Sequence, residues 1–268
     1  MRETLGLGKL SRERLSEVLR QAKGSITPKE TAEILNLPLP KVSRILAYWA
    51  EQGWLSRVRR GLYLSVPLEA SNPDLPIDSP WDIAAKIFSP CYIGGWNAAE
   101  YWGLTEQIFR TVIVMTVKRP HDRNLTIKNI NFLLQTISSD KLFGLKSVWQ
   151  DKIKLNISDP TRTIVDLLND PELGGGIRSV LDLLQNYFKS EYKNVDLLIR
   201  YSDKFGNGAV FKRLGYLIEQ YFPDEKQLLE NCRARLTKGN AKLDINLPSN
   251  FLITRWNLWV SKNYKKGS

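Results

Sequence analysis

Basic and polar side chains cluster at two places near the start of the chain, and both clusters suit an anionic polymer. The first, spaced as one helix face, comprises Lys41, Ser43, Arg44, Ala47 and Tyr48. The second surrounds a glycine and comprises Arg57, Arg59 and Arg60. An arginine can donate two parallel hydrogen bonds to a guanine edge, and arginines also bind phosphates or a minor groove. The chemistry available to these residues is therefore the recognition of double-stranded DNA.

Helix start and stop signals predict the elements that must carry the first cluster. Thr27-Pro28-Lys29-Glu30 is a capping box with proline at the first helical position, and it predicts a helix to about Leu35. Pro40 starts the next helix, which ends at Gly53. Two helices joined by so short a turn have helix-turn-helix geometry, and the second of them would enter a major groove.

Apolar periodicity predicts how these helices pack. The inner face of the second helix comprises Val42, Ile45, Leu46 and Trp49. An earlier helix follows Ser11, ends at Gly24 and has an apolar face of Leu15, Val18 and Leu19. After the second helix, apolar residues alternate on both sides of the basic turn between Trp54 and Leu64, which predicts a β-hairpin. This hairpin would be the wing of a winged helix-turn-helix, with its arginines near the tip. Such a module can also serve protein contacts alone, but basic side chains on both helix and wing favour DNA.

The length of the chain and a proline-rich segment within it predict two domains in an α+β fold. The winged helix-turn-helix occupies residues 1–66, and a proline-rich linker occupies 67–80. A larger, mixed α/β and helix-rich domain occupies 81–268. Its predicted helices lie at 81–88, 97–102, 160–168, after the glycines to 188, 194–204, 208–221 and 224–235, and its predicted strands at 110–117, 125–136, 152–157, 243–247 and 251–260.

Composition agrees with a basic intracellular protein. The net charge is +11, and residues 1–66 hold 12 Lys and Arg against 6 Asp and Glu. The chain has no apolar run long enough for a membrane helix and no secretory signal. Two cysteines, Cys91 and Cys232, make no disulfide framework, so we expect a reduced, cytoplasmic setting.

The sequence gives little support for a catalytic site or a metal site. The single histidine, His121, lies in a polar turn, and one histidine with two distant cysteines cannot build a zinc site. The glycines at 174–176 lack the following Lys-Ser/Thr of a phosphate-binding loop. A metal-dependent nuclease is the enzyme alternative, and its only acidic fragments are Asp151-Lys152, Glu191-Tyr192-Lys193 and Asp224-Glu225-Lys226. We therefore expect no enzyme activity, no cofactor and no metal.

An ordered series of short motifs resembles the AbiEi family, antitoxins of type IV toxin–antitoxin systems linked to abortive phage infection. After the winged helix, the series comprises Tyr92-Ile93-Gly94-Gly95-Trp96-Asn97-Ala98-Ala99-Glu100, Gly103-Leu104-Thr105-Glu106-Gln107, Ser158-Asp159-Pro160-Thr161-Arg162-Thr163, Asp166-Leu167-Leu168, Lys212-Arg213-Leu214-Gly215-Tyr216-Leu217 and Arg255-Trp256. The resemblance covers nearly the whole chain, and it is the order of the motifs, not any one of them, that is specific.

The resemblance implies a function that composition does not. The winged helix would bind inverted repeats at the promoter of its own operon, as a dimer on the DNA, and repress transcription. The larger domain would counteract a nucleotidyltransferase-like toxin without needing a stable complex. A transcription regulator that senses a ligand or partner, with no toxin, stays open as the alternative.

The motifs also have physical interpretations. Asp159-Pro160 starts a helix in which Arg162 and Asp166 are spaced to pair. Lys212 and Arg213 lie outside the apolar stripe of their helix, and we expect them to be exposed. Arg162, Lys212 and Arg213 are the candidate contacts of the larger domain with nucleic acid or a partner.

Overall fold

Three helices and a hairpin form the N-terminal part of the protein. A computed structural model describes residues 8–22, 25–66, 80–127, 129–150 and 153–264. The first elements are α1 (Lys9–Gln21), α2 (Pro28–Leu35), α3 (Leu39–Glu51), β1 (Leu55–Arg59) and β2 (Leu62–Ser65). They enclose a core that includes Val18, Leu46 and Trp49. Leu19, predicted on the buried face of α1, is instead exposed.

The N-cap half of the predicted capping box is present at the start of α2. The amide of Glu30 donates to Thr27 Oγ1 over 3.3 Å, and Pro28 occupies the first turn. Asn36 ends the helix with φ 48°, the left-handed conformation that reverses the chain before α3. The stop predicted at Gly24 lies outside the described residues, as does the predicted linker up to residue 79.

A six-stranded mixed sheet organises the larger part of the chain. Its strands are β3 (Cys91–Ile93), β4 (Val112–Thr116), β5 (Asn124–Ile127), β6 (Ile130–Thr136), β7 (Leu145–Gln150) and β8 (Ile153–Ser158). They lie in the order β5-β6-β4-β3-β8-β7, with β3–β8 and β4–β6 parallel and the other pairs antiparallel. Strand β4 is buried at every residue, because both faces of the sheet are covered.

Helices cover the two faces of this sheet. The helices of this part are α4 (Pro80–Phe88), α5 (Gly95–Tyr101), α6 (Pro160–Asn169), α7 (Ile177–Lys189), α8 (Val195–Phe205), α9 (Gly208–Tyr221) and α10 (Lys226–Ala234). Val112 and Val114 pack in one core with residues of α4, whereas Ile113 and Met115 pack in the other core with residues of α6 to α10. Short strands β9 (Ala241–Lys242), β10 (Phe251–Ile253) and β11 (Leu258–Val260) form a second sheet.

The fold is α+β, as predicted, with local differences. Strands β3 and β7 were not predicted, and residues 243–247 do not form the predicted strand, because pairing ends at Lys242. Helices α6 and α9 begin at the predicted residues, Pro160 and Gly208. Among the described residues, no helix has both the length and the apolar character to cross a bilayer.

Candidate nucleic-acid interface

The outer face of α3 presents the first predicted cluster to solvent. Lys41, Ser43, Arg44 and Tyr48 are exposed and Ala47 is half-buried, while Val42, Leu46 and Trp49 on the opposite face are buried. The separation follows the helical period, because residues three or four apart share a face. Trp49 also donates its indole N–H to Ser11 Oγ over 2.8 Å, which fixes α3 against α1.

Two cations on this face have no internal partner. Neither Lys41 nor Arg44 forms an ion pair or hydrogen bond with another side chain in the described part of the chain. The hydroxyl of Ser43 donates to the carbonyl of Leu39 over 3.0 Å, so its oxygen still accepts. Because α3 begins at Leu39, these residues lie in its first two turns.

The second cluster lies at the tip of the hairpin. Strand β1 pairs antiparallel with β2, with an irregularity in the ladder between Arg57 and Arg59. Gly61 forms the turn with φ 78°. Arg57, Arg59 and Arg60 are exposed, and none of them pairs with a described carboxylate. Partial burial lowers the pKa of Arg59.

Strand β2 ties the hairpin to the helices. Ile26, between α1 and α2, exchanges two backbone hydrogen bonds with Tyr63, 2.7 and 2.9 Å long. The hairpin is therefore bridged to a third extended segment beside Tyr63 of β2. Both predicted clusters belong to one small structural unit.

Helix α4 of the larger part holds this unit in place. The amide of Ser25 donates to Asp82 Oδ2 over 2.8 Å, and Lys86 Nζ donates to the carbonyl of Ser25 and pairs with Glu30 at 3.4 Å. Burial raises the pKa of Asp82 more than the bond from Ser25 and the charge of Lys86 lower it. Asp82 and Lys86 were missed by sequence reasoning, although both lie one turn apart on a predicted helix.

Hydrophobic contact reinforces this docking. Leu62 of the hairpin is buried in the same core as Ile83, Ile87 and Phe88 of α4, with Val58 packed against them. The hairpin thus belongs to two cores at once, one shared with α1 to α3 and one shared with the sheet.

Arg162, predicted as a surface contact, is fully buried. It pairs with Asp166 as its spacing predicted, with Nε 3.0 Å from Oδ1. Its Nη1 donates to the carbonyls of Lys141 and Phe143, and its Nη2 donates to the hydroxyl of Tyr92. Every guanidinium nitrogen is occupied internally, so Arg162 serves the fold and cannot reach a partner.

The prediction that Lys212 and Arg213 are exposed is also wrong. Arg213 is 5% exposed and donates to the carbonyls of Leu168 and Asn169, at the end of α6. Lys212 is 3% exposed and donates to the carbonyl of Gly239. Helix carbonyls at a C-terminus lack intrahelical donors, and a cation there satisfies them. Other segments of the chain therefore cover the side of α9 that carries Lys212 and Arg213.

The motif residues also meet in tightly packed contacts. Tyr92 donates its hydroxyl proton to Asp166 Oδ2 over 2.9 Å, and burial together with the Asp166 charge raises its pKa well above the ordinary value. A Cβ on Gly95 would approach the carbonyl of Leu173 to 2.5 Å, and Gly95 has φ 57°. These residues pack against each other in the core and are not exposed to solvent.

The acidic fragments that a nuclease would need lie partly within the described residues. Lys193 and Glu225, from two of the acidic fragments, form an ion pair with each other at 2.5 Å. Asp151 and Lys152 lie outside the described residues. Across the described ranges, no three His, Cys, Asp or Glu side chains are grouped to hold a metal ion.

A cleft beside the hairpin contains basic residues that were not predicted as part of the site. Arg59 lines it together with Lys118, Arg119 and His121, which follow β4. The run Lys118-Arg119-Pro120-His121-Asp122-Arg123 is visibly basic in the sequence. Only the fold shows that it lies beside the hairpin.

Comparison with known proteins provides no assignment. No model of a known family matches the chain, and no curated protein is significantly similar to it.

Proposed function

We propose that this protein is a DNA-binding repressor of its own operon. The observation that supports this most directly is the pairing of two exposed basic surfaces on one unit. Arg44 and its neighbours on α3 have the position and residue types for base edges in a major groove, and Arg57, Arg59 and Arg60 those for the backbone or minor groove. The unit acts as a winged helix-turn-helix, and two copies bind an inverted repeat in the cytoplasm.

We further propose that the larger domain is an antitoxin against a nucleotidyltransferase-like toxin. This half of the proposal rests on the resemblance to the AbiEi family. The matching motifs contribute to buried contacts such as Arg162 with Asp166 and Gly215 with Trp256. They therefore support a shared fold. A shared fold does not by itself imply a shared activity. Neutralisation needs no stable complex with the toxin.

The deciding experiment for repression is a titration of the protein against the DNA directly upstream of its gene. A scrambled duplex of equal length is the control, and both are measured at two salt concentrations. A discrete, tighter complex on the upstream DNA supports autoregulation. Equal binding to both duplexes contradicts repression of this operon, and binding to neither contradicts a role in DNA recognition.

A second candidate is a regulator that binds a ligand or partner through its larger domain. It is favoured by a groove of about 660 Å³ lined by Trp81, Tyr101, Ile108, Phe109 and Arg110. Co-expression with a nucleotidyltransferase encoded next to the gene separates the two. Rescue of growth supports the antitoxin, and growth arrest that this protein does not relieve supports the regulator.

A further inference from the structure

The cleft between the hairpin and the sheet domain contains cations from both. Arg59 comes from β1, Lys118 and Arg119 follow β4, and the cleft has a volume of about 360 Å³. Its apolar floor comprises Ile87, Phe88 and Leu125. Asp122 is the one carboxylate among the described residues that line it, so cations outnumber anions there.

The cations of this loop differ in what they already bind. Arg123 is held by Asp170 at 2.7 Å and Glu172 at 3.0 Å, and Lys118 Nζ donates to the carbonyl of Ile87 over 2.8 Å. Arg119 and His121 are exposed and have no side-chain partner in the described ranges. The loop is therefore anchored at both ends and presents its middle to solvent.

The hairpin and the loop are each attached to the rest of the fold. Leu62 and Val58 pack the hairpin onto α4, and the backbone amide of Lys118 donates to Thr116 Oγ1 at the end of β4. Arg59 and Arg119 line the same cleft, one from the hairpin and the other from the loop after β4. A duplex carries about one negative charge per 1.7 Å of its axis, so DNA bound at the hairpin would bring further phosphates within reach of neighbouring cations.

We propose that the loop from Lys118 to Arg123 extends the DNA interface, and that Arg119 and His121 bind phosphates flanking those held by Arg59. This inference rests on the proposed DNA-binding function. It assigns to the larger domain a direct, sequence-independent contact with the operator flanks. The contact lengthens the footprint and increases the salt dependence of binding, and it reads no bases.

The test compares Arg119→Ala with wild type on two duplexes from the upstream DNA. One is trimmed to the bases that the full chain protects in footprinting and that lose their protection in the Arg44→Ala and Arg60→Ala variants. We attribute the protection of these bases to residues 1–66. The other extends it by about one helical turn, about 10 base pairs, on each side. On the extended duplex we expect several-fold weaker binding and a salt slope smaller by about 0.9, the value for one phosphate that is no longer neutralised. On the trimmed duplex we expect no change.

The matched control is Arg200→Ala, which removes from α8 one exposed arginine that has no ion-pair partner among the described residues, and which leaves the cleft intact. It should leave both duplexes unaffected. An unchanged slope for Arg119→Ala on the extended duplex, or an equal loss on both duplexes, overturns the inference while the proposed repression stands. If wild type does not distinguish upstream from scrambled DNA, the proposed repression fails. The slope on a scrambled duplex of the extended length then still decides whether Arg119 binds phosphate.

Discussion

Arg162 and Asp166 lie one turn apart in α6 and form an ion pair, Nε to Oδ1 at 3.0 Å, with neither side chain exposed. The hydroxyl of Tyr92 accepts from Arg162 Nη2 over 2.8 Å and donates to Asp166 over 2.9 Å. Each charge is thus satisfied within the protein and not by water. Removing one partner leaves a buried charge without compensation.

Asp166→Ala should therefore lower the free energy of unfolding by about 3–5 kcal/mol. Tyr92→Phe, which removes two hydrogen bonds but no formal charge, should cost less, about 1–3 kcal/mol. Urea unfolding measures both. Arg200→Ala on the surface serves as the control and should change stability by less than about 0.5 kcal/mol. A cost for Asp166→Ala no larger than for Arg200→Ala would show that water reaches the pair.

Gly215 in α9 lies directly beneath the indole of Trp256, and a Cβ at this position would overlap the ring. Alanine normally stabilises a helix interior by about 1 kcal/mol over glycine. Here we expect Gly215→Ala to destabilise by about 1–3 kcal/mol or more, because the core is overpacked. Adding Trp256→Leu should recover part of that loss, measured as a coupling in a double-mutant cycle. Additive losses in the double variant would contradict the contact.

Local signals in the sequence predicted much of this fold. The caps at Thr27 and Asp159 start helices where expected, because a cap is satisfied by amides only three residues away. The division of α3 into a buried and an exposed face follows from its own period. Both exposed basic clusters could therefore be named without knowledge of the tertiary structure.

Long-range contacts explain what the sequence did not predict. Arg213 is buried because its acceptors lie at Leu168, Asn169 and Lys242, far away in the chain. A polar residue beside an apolar stripe looks exposed until another segment covers it. The juxtaposition of Arg59 with Arg119 has the same origin, since hairpin and loop are far apart in the chain and line one cleft.

Glu219 should make stability depend on pH in the acidic range. Burial raises its pKa, but hydrogen bonds from Arg255, Trp256 and Arg233, together with the charge of Arg255, hold the pKa below its ordinary value. A depressed pKa stabilises the fold above the ordinary value of about 4.3 and loses that contribution as pH falls below it. The stability difference between wild type and Glu219→Gln should be largest near neutral pH and shrink in acid. Glu33→Gln, exposed on α2, is the control, and a pH-independent difference for Glu219→Gln would refute this account.

Arg44 should contribute to sequence discrimination. Because its guanidinium is exposed on α3 and has no partner within the described ranges, Arg44→Ala should weaken binding to the upstream DNA by about 1–3 kcal/mol. Binding to scrambled DNA should change much less. Parallel anisotropy titrations measure the ratio of the two affinities. Equal losses on both duplexes would refute a base-reading role and leave Arg44 as a phosphate contact.

Arg59 and Arg60 should contribute affinity without specificity. Both are exposed near the hairpin tip and have no described acidic partner, so phosphates are their available ligands. Arg59→Ala with Arg60→Ala should weaken binding to upstream and scrambled DNA alike. The slope of log K against log salt should decrease by about 0.9 for each phosphate that the variant no longer binds. Lys189→Ala with Arg200→Ala removes the same charge from α7 and α8 and should leave the slope unchanged. Equal slopes for the two double variants would mean that net charge, rather than contact by the hairpin, sets the affinity.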